Sequence, residues 1–338
     1  MNLNERKQRW LDLYEGKKRT VVIIDHADYG IRPFPVPGKM DAFFDWNIRR
    51  YLVMMEHAEW LDDDTIPYVT AGMGTDIFAG AFGCPVYYPD DSNPYARPCV
   101  FNVNDLAKLK QPKLENSSLM KVLEFGNKLR ITAPEAMIQL PDIQSPLDIA
   151  ALIWEKADFF MTMLDEPQAI KDLLEMVYIL ETEFLDLWFK TFGREFIAHY
   201  PHYYMPFGIT LSEDEIGSIN TEQFKEFVLP MINKLSLHFG GKIGIHCCAN
   251  ARHQWELIKT IPGLILFNMG QQHDANNMTR MISELYRNGP VIWARSPEQN
   301  ECYDIHSLAV LQGHAESKEQ ALMELKHLRE FSTRFKPG

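Results

Sequence analysis

The second half of the chain alternates short strand-like segments with helix-like segments. Each strand-like segment is a run of mainly apolar residues, and such runs lie at 195–199, 242–250, 264–267, 291–293 and 308–311. Successive strands separated by helices form a parallel sheet, because the chain must cross over before it can pair again in the same direction. With further runs at 20–24, 67–70 and 130–132, the count is about eight strands, which fits a closed barrel of eight βα units.

We therefore predict an α/β fold in which residues 1–338 form a single (β/α)8 TIM-type barrel. A helical extension is predicted over about 1–20, where apolar residues recur at helical spacing. An open doubly wound sheet is the alternative, but no Gly-x-Gly-x-x-Gly motif follows the first strand, which argues against a dinucleotide site. The segment 84–115 is rich in proline and lacks periodicity, so it is predicted to be a long irregular loop that could serve as a lid.

Charge and cysteine content limit the partners and the location. The formal net charge of −12 argues against a nucleic-acid partner, since phosphate binding needs a basic surface. No apolar run approaches the roughly 18 residues of a membrane span, and the polar first residues lack the core of a signal peptide. Five cysteines, two of them adjacent, do not form a disulfide framework. We expect a cytoplasmic protein; the sequence does not fix the oligomeric state, for which a homodimer is the expectation.

The run 242–250 ends in three potential metal ligands. Its alternating apolar residues predict a buried strand, in which side chains at i and i+2 share a face. His246 and Cys248 should therefore point the same way and Cys247 the other way. A histidine beside a thiolate suits an ion such as zinc, although a buried histidine with two small apolar cysteines would give the same pattern. Because two ligands are too few, Cys302 and His314 are both candidates for a third.

In such a barrel the catalytic groups lie at the carboxyl ends of the strands. The aromatic-rich loop 200–207 is a candidate pocket for an aromatic ligand, with loop packing as the alternative. The acidic run 213–215 could equally be a solvated turn before a helix. His57 falls within the predicted helix 43–60 and is expected to be a surface or core residue. The candidate catalytic residues are Asp25, His26, Glu213 and Asp214, and the candidate substrate-binding residues are His199, His202, Tyr203, Tyr204 and Asn268.

Three segments carry a resemblance to a known family. Residues 146–153, followed by 163–168 and 173–175, look like that family's middle helices, and 211–216 with 220–230 is similar to its acidic turn and following helix. Residues 244–250 match a His-x-Cys zinc motif. On these segments the chain, over about 120–320, resembles the uroporphyrinogen decarboxylase superfamily and, within it, the zinc-containing corrinoid-dependent methyltransferases.

The resemblance implies a (β/α)8 barrel that moves a methyl group between a small substrate and the cobalamin of a separate corrinoid carrier protein, assisted by zinc. The aromatic loops favour an aryl methyl ether as substrate, and thus O-demethylation. The family's third zinc ligand is usually a cysteine just after the last strand, where this chain has Gly313 and His314. The resemblance therefore implies that either His314 replaces that cysteine or Cys302 supplies the ligand.

Three other functions remain open at this point. One is a methylcobalamin:thiol methyltransferase, which would run the transfer toward a thiolate. Another is a metal-free decarboxylase of the same superfamily, with Asp25 stabilising a protonated ring; it is the weaker alternative, because only Arg32 and Lys39 lie near residues 20–40 to hold a carboxylate-rich substrate. The last is a non-catalytic binding protein that kept the barrel.

Overall fold

The structure is a computed structural model that describes residues 2–269, 287, 289, 291–295 and 307–335. Its strands and helices interleave along the chain, which confirms the α/β prediction. The strands are β1 Thr20–His26, β2 Tyr68–Thr70, β3 Val86–Tyr87, β4 Tyr95–Ala96, β5 Met137–Gln139, β6 Phe196–Ile197, β7 Tyr204–Met205, β8 Ile209–Ser212, β9 Ile243–Cys247, β10 Leu264–Met269, β11 Val291–Arg295 and β12 Ala309–Ala315.

The helices lie mostly between successive strands, and the longer ones bury one apolar face each. The longest of them, α8, spans 26 residues. The helices are α1 Leu3–Tyr14, α2 Met40–Trp60, α3 Asp76–Ala81, α4 Val103–Leu106, α5 Leu119–Thr132, α6 Pro146–Ile153, α7 Lys156–Asp165, α8 Pro167–Phe192, α9 Thr221–Gln223, α10 Leu229–His238, α11 Trp255–Ile258 and α12 Lys318–Ser332. Within the described residues, no helix has the length and apolarity needed to cross a bilayer.

Parallel pairing dominates the sheets of the described residues. One sheet has the order β1-β12-β11-β10-β9-β8 and is parallel throughout. A second has the order β2-β5-β6-β7, in which β6 and β7 form an antiparallel hairpin. Backbone hydrogen bonds connect the two edge strands of the first sheet, β8 and β1, to loop residues outside the second sheet, from Ser145 N to Ser212 O (2.7 Å) and from Asp64 N to Val22 O (2.7 Å). The closed eightfold barrel itself stays a prediction.

Two stretches differ from the sequence prediction. The strand predicted at 130–132 is wrong, because α5 continues to Thr132 and the strand follows at Met137–Gln139. The apolar side chain of Ile131, which suggested a strand, is 82% exposed on the helix surface. The predicted irregular segment 84–115 contains the antiparallel pair β3–β4 and the short helix α4, which Asn102 caps; its role as a lid stays a prediction. The single-domain assignment also stays a prediction, and Cys302, one of the candidate metal ligands, lies outside the described residues.

A buried arginine ties α1 to the segment between α2 and β2. Arg6 is 1% exposed, and its guanidinium donates to Asp63 Oδ1 (2.7 Å) and to the carbonyl oxygens of Thr65 (2.8 Å) and Leu61 (2.5 Å). Asp63 in turn accepts from the backbone N–H of Ile24 in β1 (3.1 Å). The cluster therefore fixes the position of β1 relative to the helices that precede and follow it.

Replacing Arg6 with methionine should lower the free energy of unfolding by about 3–5 kcal/mol, because Asp63 would be left as a buried charge without its partner. The neighbouring Lys7 also forms an ion pair of 2.7 Å, with Glu195, but both side chains of that pair are substantially exposed. Lys7→Met should therefore cost less than about 1 kcal/mol. Urea denaturation of both variants measures the difference, and equal losses would contradict a special role for Arg6.

Candidate active site

A cavity of about 500 Å³ opens at the carboxyl ends of β1, β2, β5 and β12. Its position is the one that parallel βα folds use for ligands. Several residues predicted from the sequence meet there, namely Asp25, His26, His199, His202 and His314. Among the other lining residues are Tyr29, Arg32, Trp46, Arg50, Tyr68, Gln139, Tyr200 and Gln312.

One wall of the cavity combines two arginines with aromatic rings. Arg50 is 8% exposed, and its guanidinium carbon lies 4.2 Å from the ring centroid of Tyr68 and 5.5 Å from that of Trp46. Burial and the nearby charge of Arg50 lower the pKa of Arg32. Neither guanidinium forms an ion pair with a carboxylate of the described residues. Two enclosed cations without a paired anion make this wall suitable for an anionic, aromatic ligand.

Sequence reasoning missed Arg50, because it sought basic residues only near 20–40. The signal was its position in α2: helical spacing places it on the buried side of that helix, while its neighbour Arg49 is exposed. A charged residue on a buried helix face is unusual enough to mark a site. Asp148, described below, carried a comparable signal within an otherwise apolar helix.

Asp25 and His26 lie at the end of β1, against β12. In the register of these strands Asp25 is opposite His314, and the Gln312 amide donates to Asp25 Oδ2. Burial raises the pKa of Asp25, which favours its protonated form. Burial and the neighbouring His57 lower the pKa of His26 to about 4, so its imidazole is neutral at physiological pH.

The candidate metal ligands His246, in β9, and Cys248, directly after β9, lie side by side, as the sequence pattern predicted. His246 Nε2 is 2.9 Å from Cys248 Sγ, and His246 Nδ1 is 2.5 Å from Asn268 Oδ1. The amide oxygen can only accept, so Nδ1 carries the hydrogen and Nε2 presents its lone pair toward the thiol. Cys247 is 1% exposed and contacts the carbonyl of Ala249 instead (3.6 Å). The ring of Tyr200, which lines the cavity, lies 4.3 Å from that of His246, so the ligand pair adjoins the cavity.

The acidic turn at 213–215 supports this metal-ligand pair from behind. Asp214 Oδ1 accepts from the backbone N–H of Cys248 (2.5 Å), and the buried carboxylate of Asp148 accepts from the N–H groups of Asp214 (2.7 Å) and Glu215 (2.9 Å). Glu213 is 1% exposed and donates its backbone N–H to the His246 carbonyl (2.8 Å). The turn is therefore built into the core, and the alternative of a solvated turn fails for Glu213. Burial and, to a lesser extent, the nearby charge of Asp214 raise the pKa of the Cys248 thiol to about 11.

The remaining predicted residues occupy different surroundings. His199 Nε2 lies 3.6 Å from Asp142 Oδ2, beside the metal-ligand pair. Tyr203 and Tyr204 do not line the cavity: Tyr203 is fully buried against Trp10, with ring centroids 5.5 Å apart, and Tyr204 lies on the β6–β7 hairpin near Lys7. The hairpin turns these two side chains into the core, which the sequence could not show. The cavity wall also does not include Glu213, Asp214 and Asn268. These three residues instead form hydrogen bonds with His246 or Cys248.

The third metal ligand stays a prediction. His314 is exposed on β12, which is separated from β9 in the sheet by β10 and β11. Cys302 lies outside the described residues. Within the described part of the chain, the one close group of three potential ligands is a different one, His26, Asp28 and His57.

Glu213 gives a pH-dependent prediction for stability. Burial and, to a lesser extent, the nearby charge of Asp148 raise the pKa of Glu213 well above the ordinary value. In the unfolded chain the same carboxyl group titrates at about 4.3. The folded state therefore binds a proton that the unfolded state has lost, and its stability falls as the pH rises through that interval. Relative to wild type, Glu213→Gln should gain unfolding free energy as the pH rises from about 5 to about 8, at no more than about 1.4 kcal/mol per pH unit. Denaturant titrations of wild type and variant at about pH 5 and at about pH 8 measure this gain, and the exposed Glu222→Gln is the control. If the difference in unfolding free energy between Glu213→Gln and wild type were the same at both pH values, Glu213 would be ionised in the folded state.

Comparisons with known proteins identify a family for this chain and a solved structure with a similar fold. The family model described as "Uroporphyrinogen decarboxylase (URO-D)" matches residues 71–292, more than half of the chain. The structure of a methyltransferase from Methanosarcina mazei is similar, with a TM-score of 0.63 at 13% identity, over 97% of this chain and 98% of that one. At that identity the likeness concerns the fold. No curated protein matches the chain.

Proposed function

This chain belongs to the uroporphyrinogen decarboxylase family, and on that premise we propose that it is a zinc-assisted, corrinoid-dependent methyltransferase. The proposal includes a closed (β/α)8 barrel, a separate corrinoid carrier protein as partner and a small methylated substrate. The observation that carries it is the pairing of His246 Nε2 with Cys248 Sγ at 2.9 Å, next to an aromatic cavity. The fold shared with the Methanosarcina methyltransferase supports it.

The residues present fit a zinc ion. A neutral imidazole and a thiol on one strand face supply nitrogen and sulfur donors, and Asn268 orients the imidazole as acceptors do behind most ligating histidines. His246 and Cys248 would hold the ion, with His314 or Cys302 as the third ligand. When bound, zinc supplies a Lewis acid for the oxygen or sulfur whose methyl bond changes.

We infer that the favoured substrate is an aryl methyl ether that carries a carboxylate. Arg50 and Arg32 would bind the carboxylate, and Tyr68, Trp46 and Tyr200 would enclose the ring. Asp25 lies in the same cavity, and burial raises its pKa, so it can hold a proton for the departing phenolate. The product would then be a phenol, and the methyl group would leave with the corrinoid of the carrier.

The test is methyl transfer from a methoxybenzoate to reduced cobalamin, supplied free and on a carrier protein, followed by the absorbance of the cobalamin and by the phenol formed. Production of equal amounts of phenol and methylcobalamin supports the proposal. A thiol methyltransferase would instead transfer the methyl group of added methylcobalamin to a thiol, and the absorbance of the cobalamin would follow this reaction as well. Neither reaction with zinc-loaded protein, over a panel of aryl ethers and thiols, would contradict the methyltransferase assignment.

A decarboxylase is the second candidate, and the two arginines in the cavity wall are the observation that favours it. They would hold a carboxylated substrate, and Asp25, whose pKa is raised by burial, lines the same cavity. The size of the cavity, about 500 Å³, suits a small molecule. Release of carbon dioxide from aromatic or pyrrolic acids without methyl transfer, and without dependence on Cys248, would select this function.

A further inference from the structure

A second group of potential metal ligands lies where β1 ends against α2. His26 is the last residue of β1, Asp28 follows in the short 3-10 helix Ala27–Tyr29, and His57 projects from α2. One ligand atom from each of these three lies within 4.8 Å of those from the other two. The sequence predicted His57 only as a surface or core residue, because nothing in its helix indicates what it faces.

The two imidazoles are deeply buried and incompletely bonded. The exposed fractions are 8% for His26 and 9% for His57, and their ring centroids are 3.8 Å apart. His57 Nε2 contacts Asp28 Oδ2 at 2.9 Å. However, His26 Nε2 and His57 Nδ1 are buried without a hydrogen-bond partner among the described residues. Buried polar atoms are rarely left unpaired, so two of them at one place require an explanation.

We propose that His26, Asp28 and His57 bind a divalent metal ion of the zinc class, at a site separate from His246 and Cys248. Two imidazole nitrogens and one carboxylate oxygen form a donor set that such ions commonly use, with a further position open to water or a ligand. The rings of Trp60 and Tyr29 lie 5.3 Å and 5.9 Å from the His57 ring, by centroids, and so pack against the imidazole side of the group, while Asp28 faces solvent. Apolar rings in this position limit solvent access to a bound ion from that side.

The ion would join the end of β1 to α2, and so support the wall of the cavity. Tyr29 lies next to Asp28 and lines the cavity, and its carbonyl accepts from the indole N–H of Trp46 in α2 (3.0 Å). The same helix carries Arg50. The site therefore orders the residues that face the ligand, whatever reaction takes place there, and the inference does not depend on the proposed function.

Cobalt substitution of the full-length chain tests the proposal. Chelator-treated wild type and the double variant His246→Ala/Cys248→Ala are titrated with Co²⁺, and bound cobalt and absorbance are measured. The double variant should still bind one Co²⁺ per chain, with visible d–d bands but without the near-ultraviolet sulfur-to-cobalt band. Adding Asp28→Asn to it should weaken that binding by at least about tenfold, since even outer-shell changes cost that much. Asp28 is about half exposed, so this variant should fold.

A matched control is available in α10. His238 Nε2 contacts Asp186 Oδ2 at 2.9 Å, the same distance as in the His57–Asp28 pair, but without a second histidine. His238→Gln in the double variant should leave cobalt binding unchanged. Two results would overturn the proposal: a folded double variant that binds no Co²⁺, or binding that survives both Asp28→Asn and His57→Gln. In either case the three residues form a hydrogen-bonded cluster only.

Discussion

Replacing Cys248 with serine should remove one zinc ion per chain and lower methyl transfer by about a thousandfold. A hydroxyl is a far weaker zinc ligand than a thiolate, and loss of the ion removes several kcal/mol of charge stabilisation from the reacting oxygen or sulfur. His246→Ala should have the same effect, since its Nε2 lies 2.9 Å from the same sulfur. Zinc content by elemental analysis and turnover with reduced cobalamin are the two measurements.

The adjacent residue supplies the matched control for this prediction. Cys247→Ser makes the same chemical change one position earlier on β9, but this sulfur faces the core and contacts the carbonyl of Ala249, to which a serine hydroxyl could donate. Zinc content and turnover should therefore remain near those of wild type. If both serine variants lost zinc equally, the loss would reflect damage to β9 and not removal of a ligand. If Cys248→Ser kept its zinc, the assignment of this ligand would be wrong.

The strand carrying this pair was the most predictable part of the site. A period of two along 242–250 is a local property of the sequence, so it is sufficient to predict both the strand and the common face of His246 and Cys248. Asn268 was also reached from the sequence, by its place at a strand end, although as a substrate-binding residue. In the structure it contacts His246 instead, because β10 lies beside β9 and brings Asn268 into register with His246.

The parts that the sequence could not predict depend on contacts between distant segments. Asp148 supports the acidic turn across 66 residues of sequence, and no local pattern indicates that its carboxylate accepts from Asp214. Tyr203 was predicted to bind substrate but lies in the core. An aromatic residue in a loop suits a pocket and a core equally well, and only the packing against Trp10 decides between them. His57 and Arg50 lie on the buried side of one helix, and only the fold shows that one faces His26 and the other the cavity.

Arg50 leads to the second large effect, on substrate affinity. Arg50→Gln should raise the KM for a carboxylated aryl ether by about 10- to 100-fold with a smaller change in kcat, because a hydrogen bond to a charged group in an enclosed site contributes about 1.5–3 kcal/mol. The methyl ester of the same substrate lacks the charge, so its KM should change little. Arg49→Gln, one residue earlier on the exposed side of α2, is the control and should behave as wild type with both substrates.

Binding without turnover separates this role of Arg50 from the methyltransferase assignment. Benzoate binding, followed by calorimetry, should weaken in Arg50→Gln and in Arg32→Gln, since both guanidinium groups face the cavity without a carboxylate partner among the described residues. The rings of Tyr68 and Trp46 stay in place in either variant, so a neutral aromatic ligand should bind as before. Equal weakening for benzoate and for its neutral ester would mean that Arg50 orders the aromatic wall through its contact with Tyr68 (4.2 Å). Selective loss of the anion would identify the arginine pair as the carboxylate site even if the methyl acceptor proved to be something other than a corrinoid.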